Sequence, residues 1–269
     1  MTKQNFKIGI VSFENPWDDE SFRPNRLSSL QKIAKEVKKK ALTHLFFPGS
    51  TIDYSYSANI GREIKRDLAF MTAEFRFLSI IFELTDFYPS EYENKNYKKL
   101  GLYCFEKGKN LTTSPIKQLF VTSKSDKEKY EQLWEATATG NRTFFISGLK
   151  VLIWICGEIN YLRNAQSDNN KVKGVRYNFR PNIAPNNLNY DIFFNPTHEP
   201  LKALMGKYKE RLLYMSKKKR ISILNLNVDD SQVQRKGTIF CFKDGKELLT
   251  KDMKTEWEDS RYKIEIIQF

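Results

Sequence analysis

Cys156 is the residue whose type and sequence context most clearly indicate chemistry. It follows five apolar, mostly β-branched residues, Val151 to Ile155, and such a run predicts a strand buried on both faces. Gly157 comes next, and the helix-forming segment 158–163 predicts a strand-to-helix elbow at the cysteine. Backbone amides and a helix N-terminus at such an elbow lower a thiol pKa and stabilise an oxyanion. Cys156 is therefore a candidate nucleophile. The alternative is that it is a small buried hydrophobe, as free cysteines usually are.

The remaining histidines and cysteines have no catalytic or metal-binding pattern. His44 and His198 are the only histidines and have no ligand spacing with each other or with a cysteine, so we expect no metal site. Cys104 and Cys241 lie within predicted strands and are predicted to be core residues. Three widely separated cysteines do not form a disulfide framework. The sequence has no glycine-rich phosphate-binding loop, and we expect no cofactor.

Composition indicates a folded protein with a sizeable core. The chain has 269 residues, of which 40% are hydrophobic and 14% aromatic. No run of about 18 apolar residues occurs, so we expect no membrane span and no membrane partner. The N-terminus enters a strand-like segment directly and lacks the apolar core of a signal peptide. We therefore expect a cytoplasmic location.

The net charge of +13 indicates a basic surface, which attracts nucleic acid or acidic substrates. The densest clusters, Lys38–Lys40 and Lys217–Arg220, follow predicted helices, where cations favour the helix dipole. Solvated helix ends are the favoured interpretation, because no RNA-binding motif accompanies the charge. A nucleic-acid partner is the alternative.

Segment 167–190 is rich in Asn, Pro and Lys and has no periodicity, so it is predicted to be a long surface loop. Basic and aromatic residues alternate along it, a combination that binds nucleic acid or an anionic substrate. A basic loop or an oligomer contact is the favoured alternative. The residues concerned are Lys171, Lys173, Arg176, Tyr177, Phe179 and Arg180.

Hydrophobic periodicity predicts a layered α/β domain, because the chain opens as strand, helix, strand. No internal repeat and no linker is found, so we predict one domain over residues 1–269. The predicted helices are 26–40, 58–75, 127–138 and 200–217. The predicted strands are 6–13, 42–48, 76–84, 99–105, 110–113, 117–121, 143–146, 149–155, 191–196, 221–225, 237–242, 247–249 and 262–267.

The order of short motifs resembles the carbon–nitrogen hydrolase (nitrilase) superfamily along nearly the whole chain. Each motif is weak by itself, but together their order and spacing carry the resemblance. The matching segments are Phe47-Pro48-Gly49, where the family has Phe-Pro-Glu, the turn Lys107-Gly108 with Lys117 after it, Ile155-Cys156-Gly157-Glu158, Asn195-Pro196-Thr197, Leu213–Lys217, Asn225, Lys236-Gly237-Thr238 and Asp244-Gly245.

This resemblance implies a four-layer α-β-β-α sandwich, a Glu–Lys–Cys triad and dimerisation. Carried over by position, Cys156 is the nucleophile that attacks a small amide. Lys117, or Lys124 if the hairpin aligns differently, and the Gly157 amide hold the oxyanion. Glu158 matches an acidic position, with a structural or substrate-orienting role. For Asn195, capping of the next helix is favoured over a contact with substrate.

Gly49 occupies the position of the family's general base, and glycine cannot accept a proton. A carboxylate from elsewhere is a candidate substitute, although each candidate is more typical of a surface residue. Two functions follow from the resemblance. One is an amidase with impaired or relocated base catalysis; the other is an inactive basic binding or scaffold module for a protein or nucleic acid. The candidate substitute bases are Glu83, Glu128, Glu131 and Glu135.

Overall fold

The computed structural model describes most of the chain and divides it into two compact units. The first unit comprises Met1–Lys117, Asn227–Thr238 and Thr250–Phe269, and the second comprises Gln118–Leu226 and Ile239–Leu249. The single domain over residues 1–269 stays a prediction. The described residues are 6–13, 23–49, 58–74, 79–86, 99–112, 116–120, 127–165, 171–176, 183–197, 205–226, 239–248, 254–259 and 262–268.

The first unit is built on a seven-stranded sheet with the strand order β14-β15-β1-β2-β3-β4-β5. Strands β1, β2 and β3 are parallel, and helices α1 and α2 connect them, as parallel crossovers require. The elements are β1 (Lys7–Phe13), α1 (Arg23–Lys40), β2 (His44–Phe46), α2 (Ala58–Glu74), β3 (Ser79–Asp86), β4 (Lys99–Glu106), β5 (Lys109–Asn110), β14 (Lys254–Asp259) and β15 (Tyr262–Gln268).

Both helices of the first unit bury apolar side chains against the sheet. Ile33 and Val37 of α1, and Leu68 and Met71 of α2, belong to one core cluster with side chains of the strands. This spacing of three and four residues places them on one helix face. The strand residues of this cluster are Val11, Leu45, Tyr103, Phe105, Ile264 and Ile266.

The second unit has a six-stranded sheet with the order β13-β12-β11-β10-β7-β6 and a separate two-stranded sheet β8-β9. Strands β7, β10 and β11 are parallel. The elements are α3 (Lys127–Ala138), β6 (Thr143–Ile146), β7 (Leu149–Ile153), β8 (Leu162–Asn164), β9 (Val172–Val175), β10 (Ile192–Thr197), α4 (Met205–Met215), β11 (Ile221–Leu226), β12 (Ile239–Lys243) and β13 (Lys246–Glu247).

The core of the second unit is aromatic and fixes the end of β7. Trp154 is fully buried, and its indole Nε1 donates a hydrogen bond to Thr137 Oγ1 of α3 at 3.0 Å. Its ring makes edge contacts with Tyr161 and Phe193, at centroid distances of 5.4 and 5.3 Å. The residues just before Cys156 therefore have little freedom to move.

Two sequence predictions about this unit are wrong. The segment after Cys156 is not an α-helix: Cys156–Tyr161 forms a six-residue 3-10 turn, and β8 follows it. Its side chains are buried on all sides except at the cysteine, so it lacks the polar face of a surface helix. Segment 167–190 is also not loop throughout, because its residues 172–175 form β9, which pairs with β8.

Strand β14 was not predicted from the sequence. Its residues, Lys-Thr-Glu-Trp-Glu-Asp, are mostly charged, and the strand lies at an edge of the seven-stranded sheet. Charged side chains are typical of edge strands, where they block pairing with other chains. Such a segment lacks the apolar alternation by which strands are predicted.

No helix among the described residues is long and apolar enough to cross a membrane. Cys104 and Cys241 are buried at 0% and 1% exposure, which confirms that both are core residues. Burial raises the pKa of each of these thiols far above its ordinary value. Both are therefore protonated and poorly reactive in the folded protein.

Candidate active site

Cys156 lies at a sharp bend directly after the buried end of β7. Its φ of 45° places it in the left-handed region, which costs a non-glycine residue roughly 1–2 kcal/mol. It is partly exposed, whereas residues 151–155 before it and 157–162 after it are buried. Cys156 is therefore the one partly exposed residue in a segment that is otherwise buried.

Asn195 holds this bend from the neighbouring strand β10. Its Nδ2 donates hydrogen bonds to the carbonyl oxygens of Trp154 and Cys156, the latter at 3.1 Å. Its Oδ1 accepts a hydrogen bond from Thr197 Oγ1 at 2.9 Å, which orients the amide. Asn195 thus joins β10 to the bend. Capping of the next helix stays a prediction, because residues 198–204 lie outside the described part of the chain.

Glu158 holds the same bend from within. Its Oε2 accepts a hydrogen bond from the Ile155 amide at 2.7 Å, and its Oε1 accepts one from the Leu119 amide at 2.7 Å. Arg142 donates to both carboxylate oxygens, at 3.0 and 3.1 Å. Burial raises the pKa of the Glu158 carboxyl, while Arg142 and the two amides oppose the rise. Both oxygens are fully used, so Glu158 fixes the bend and does not take a thiol proton.

A polar cluster of α4 lies next to the bend, and the sequence gave no indication of it. Burial raises the pKa of Tyr208, the neighbouring Cys156 side chain adds to the rise, and a hydrogen bond with Asn160 opposes it. The Arg211 guanidinium lies 5.5 Å from the Tyr208 ring. Arg211 also donates from Nη1 to Asn160 Oδ1 at 2.6 Å. Tyr208 and Arg211 therefore line the same region as the thiol.

The predicted residues of the first unit have the following places. Gly49 is buried, three residues after the end of β2. Lys117 is exposed and follows Ile116, which forms an isolated bridge with Leu102 of β4. The backbone of Glu83 pairs with Leu102 as well, but its side chain lies outside the described residues, as does Lys124. Their catalytic roles stay predictions.

The three candidate bases on α3 are turned away from the buried face of that helix. Glu128 and Glu135 are exposed, and Glu131 forms an ion pair with Lys127 at 3.2 Å. None of the hydrogen bonds or ion pairs of the described residues joins one of them to Cys156. Gly157, whose amide is the predicted oxyanion donor, is buried directly after the nucleophile position.

The described residues contain no group of three or more His, Cys, Asp and Glu side chains that could hold a metal ion. His44 is buried, and its Nδ1 lies 2.9 Å from Thr43 Oγ1. His198 lies outside the described residues. The site chemistry in the second unit is therefore that of a thiol, a phenol and guanidinium groups.

Sequence reasoning missed four residues that build this site: Arg142, Asn160, Tyr208 and Arg211. Tyr208 and Arg211 are three residues apart and share a helix face, which was the one available signal. Arg142 gave none, because it occupies a turn before β6 and its partner Glu158 is 16 residues away.

No protein-family model matches the chain, and a comparison with curated proteins found no match either. Solved structures are similar along nearly its whole length. Nit3 of Saccharomyces cerevisiae, a member of branch 10 of the nitrilase superfamily, is 11% identical; the match covers 98% of this chain and 90% of Nit3, with a TM-score of 0.59. An amidase from Nesterenkonia sp. AN1 is 9% identical, with 98% and 90% coverage and a TM-score of 0.58.

A third similar structure is the glutamine-dependent NAD(+) synthetase from Cytophaga hutchinsonii, which is 10% identical, with a TM-score of 0.57. That match covers 99% of this chain and 43% of the synthetase, so the chain spans less than half the length of that enzyme. At these identities the likeness concerns the backbone arrangement. The chain therefore has the α/β fold of the carbon–nitrogen hydrolase (nitrilase) superfamily.

Proposed function

We propose that this protein hydrolyses a small amide with Cys156 as its nucleophile. The observation that carries the proposal is the bend at Cys156: a partly exposed thiol in a left-handed conformation, held by Asn195 and Glu158. Strained conformations of this kind persist only where surrounding bonds impose them, and they cluster at active sites. The bend fixes the direction of the sulfur relative to the amide of Gly157.

In this reaction the thiolate attacks the amide carbonyl carbon and forms a tetrahedral oxyanion. The oxyanion collapses, the C–N bond breaks, and the amine leaves with a proton, which produces a thioester on Cys156. Water then attacks the thioester, releases the carboxylic acid and returns the thiol. The resemblance assigns the oxyanion contacts to the Gly157 amide and to Lys117, with Lys124 as the alternative.

The similar amidase supports the choice of nucleophile. In a variant of the Nesterenkonia amidase in which glutamate is replaced by glutamine, the acetamide moiety of fluoroacetamide adds covalently at the active site cysteine. The same addition occurs in a glutamate-to-leucine variant, and a further structure shows a cysteine-to-alanine variant with butyramide. A cysteine of this fold thus reacts with an amide reagent in chains with a replaced glutamate.

Turnover is expected to be slow, because Gly49 supplies no general base. General acid–base catalysis contributes roughly 10²–10⁴-fold, or about 3–5 kcal/mol of barrier. Glu83, whose backbone pairs with Leu102 of β4, is one of the proposed substitute bases. The first step, attack by Cys156, is less affected than a complete turnover, which needs several proton transfers.

The experiment is treatment with fluoroacetamide, followed by intact-mass and peptide analysis. We expect one acetamide moiety per chain, on Cys156, and none in Cys156→Ala. Ammonia release from butyramide is measured in parallel and should be slow and absent in Cys156→Ala. Labelling spread over several cysteines, or ammonia release that survives in Cys156→Ala, contradicts the proposal.

A second candidate function is an inactive binding or scaffold module, and Gly49 is the observation that favours it. The +13 charge would then attract an acidic protein or a nucleic acid, and the resemblance would supply dimerisation. Binding to an anionic polymer should weaken steeply as salt rises, because counterions are released on binding. Failure of Cys156 to react with fluoroacetamide, together with salt-dependent binding, would favour this function over hydrolysis.

A further inference from the structure

Arg211 is a buried guanidinium group without a carboxylate partner in the described part of the chain. It is 2% exposed. It donates from Nε to Asn164 Oδ1 at 2.7 Å and from Nη1 to Asn160 Oδ1 at 2.6 Å. Both acceptors are neutral amides, and neither hydrogen bond uses Nη2. Burial lowers the pKa of Arg211 to about 10. Buried charges in proteins are normally paired, and both acceptors described for Arg211 are uncharged.

A second cation lies close to it. Arg176, next to β9, donates from Nε to the Asn160 carbonyl oxygen at 2.7 Å. Its charge contributes to the lowered pKa of Arg211, so the two guanidinium groups repel each other. A negative charge bound at this place would offset the repulsion between the two guanidinium groups. The arrangement therefore favours a ligand with negative charge.

This pair of arginines is close to the candidate nucleophile. Asn160, which both arginines contact, is four residues after Cys156 in the same 3-10 turn. Tyr208 contacts Arg211 and interacts electrostatically with the Cys156 side chain. Tyr130 also acts electrostatically on Arg211. Two cations thus lie close to the turn that begins with Cys156.

We propose that Arg176 and Arg211 bind a carboxylate of the substrate, so that the protein acts on an amide that itself carries a carboxylate. Guanidinium groups suit this ligand, because their planar donors match the two oxygens of a carboxylate. The proposal rests on Cys156 being the reactive group of the proposed hydrolase. Beyond the proposed function, it specifies that the substrate is negatively charged, which neither the fold nor the bend at Cys156 indicates.

The test compares two alkylating reagents of nearly equal size, anionic iodoacetate and neutral iodoacetamide. In both reactions the Cys156 thiolate attacks the CH₂ carbon, the S–C bond forms and iodide leaves. The ratio of the two rates therefore cancels the pKa of the thiol and reports the charge of its surroundings. Cys104 and Cys241 do not interfere, since both are buried with raised pKa values, and Cys156→Ala measures the background.

We expect the iodoacetate-to-iodoacetamide rate ratio of the intact protein to exceed that of N-acetylcysteine by about tenfold, the size of one charge-assisted hydrogen bond. Arg176→Gln should lose most of this preference, while Arg176→Lys, which keeps the charge, should retain it. Lys173→Gln is the matched control: it removes the same charge from an exposed position on β9 and should leave the ratio unchanged.

A ratio equal to that of N-acetylcysteine overturns the proposal, and so does an equal loss in Arg176→Gln and Lys173→Gln. Retention in Arg176→Lys shows that a loss in Arg176→Gln comes from charge and not from misfolding. The assay needs no turnover, so its outcome is separate from that of hydrolysis. A raised ratio without ammonia release from an amide that carries a carboxylate refutes the hydrolase and leaves the anion site in place; ammonia release with an ordinary ratio does the opposite.

Discussion

The two units differ in the residues that follow the carboxyl ends of their parallel strands. In the second unit, the residue after β7 and its neighbours are held by Asn195, Glu158 and Arg142. In the first unit, the segment after β2 leads to a buried glycine, Gly49, which has no side chain to offer. Both sheets have three parallel strands, and in the second unit the described hydrogen bonds hold the residue that follows one of them. The proposed hydrolase therefore has a positioned thiol, and at Gly49 it lacks the carboxylate that the resemblance implies.

Gly49→Glu is the variant with the largest expected effect on this difference. If the resemblance places the base correctly, the new carboxylate should raise ammonia release from a small amide by about 10²-fold or more. Gln132→Glu, at an exposed position of α3, adds the same charge and should leave the rate unchanged. If the folded Gly49→Glu protein releases ammonia no faster than the wild type, the lack of a carboxylate at position 49 is not what limits the reaction.

Glu158→Leu should destabilise the second unit by about 3–5 kcal/mol, because it leaves the Arg142 guanidinium buried without its partner. The free energy of unfolding in urea measures this loss. Glu131→Gln, which removes an exposed ion pair with Lys127, should cost only about 0–1 kcal/mol. If both substitutions lower the free energy of unfolding equally, the hydrogen bonds between Glu158 and Arg142 do not stabilise the bend.

Asn195→Ala should cost about 1–3 kcal/mol, since it removes the donor to two buried carbonyl oxygens. It should also slow the reaction of Cys156 with fluoroacetamide, because the carbonyl of Cys156 loses its fixed direction. Asn187→Ala is the control: this exposed asparagine accepts a hydrogen bond from Lys218 and should affect neither quantity. If Asn195→Ala is less stable but Cys156 reacts with fluoroacetamide at the same rate, Asn195 stabilises the fold and does not orient the thiol.

The pattern of apolar and polar residues predicted the helices and strands whose formation depends mainly on neighbouring residues in the sequence. Helix α3 was predicted over residues 127–138 as a charged helix, as observed. The strand before Cys156 was predicted from its continuous apolar run, and Cys104 and Cys241 were predicted to be core residues because they lie within strands. The helix after Cys156 was wrong, because buried side chains on every side and pairing with β9 override helical propensity.

The candidate site was harder to predict, because it depends on long-range contacts. Glu158 was noticed through its spacing from Cys156, but its partners Arg142 and Leu119 lie 16 and 39 residues away. Asn195 was noticed at the end of a strand, but the residues it binds at the bend, Trp154 and Cys156, lie 41 and 39 residues away. Arg211 was not noticed at all, since a basic residue on a helix resembles any of the 45 lysines and arginines of the chain. Its burial alone distinguishes it.

The smallest expected effect concerns the conformation of Cys156 itself. Cys156→Gly should be more stable than Cys156→Ala by about 1 kcal/mol, because glycine adopts positive φ without strain. Ala136→Gly should change the stability in the opposite direction, because glycine within α3 costs about 1 kcal/mol relative to alanine. Thermal unfolding of the three variants and the wild type measures both differences. If Cys156→Gly is the less stable of its pair, the bend is not imposed by Asn195 and Glu158. If it is the more stable, the surroundings hold the left-handed conformation whatever the side chain, and the cysteine occupies a position that would be more stable without it.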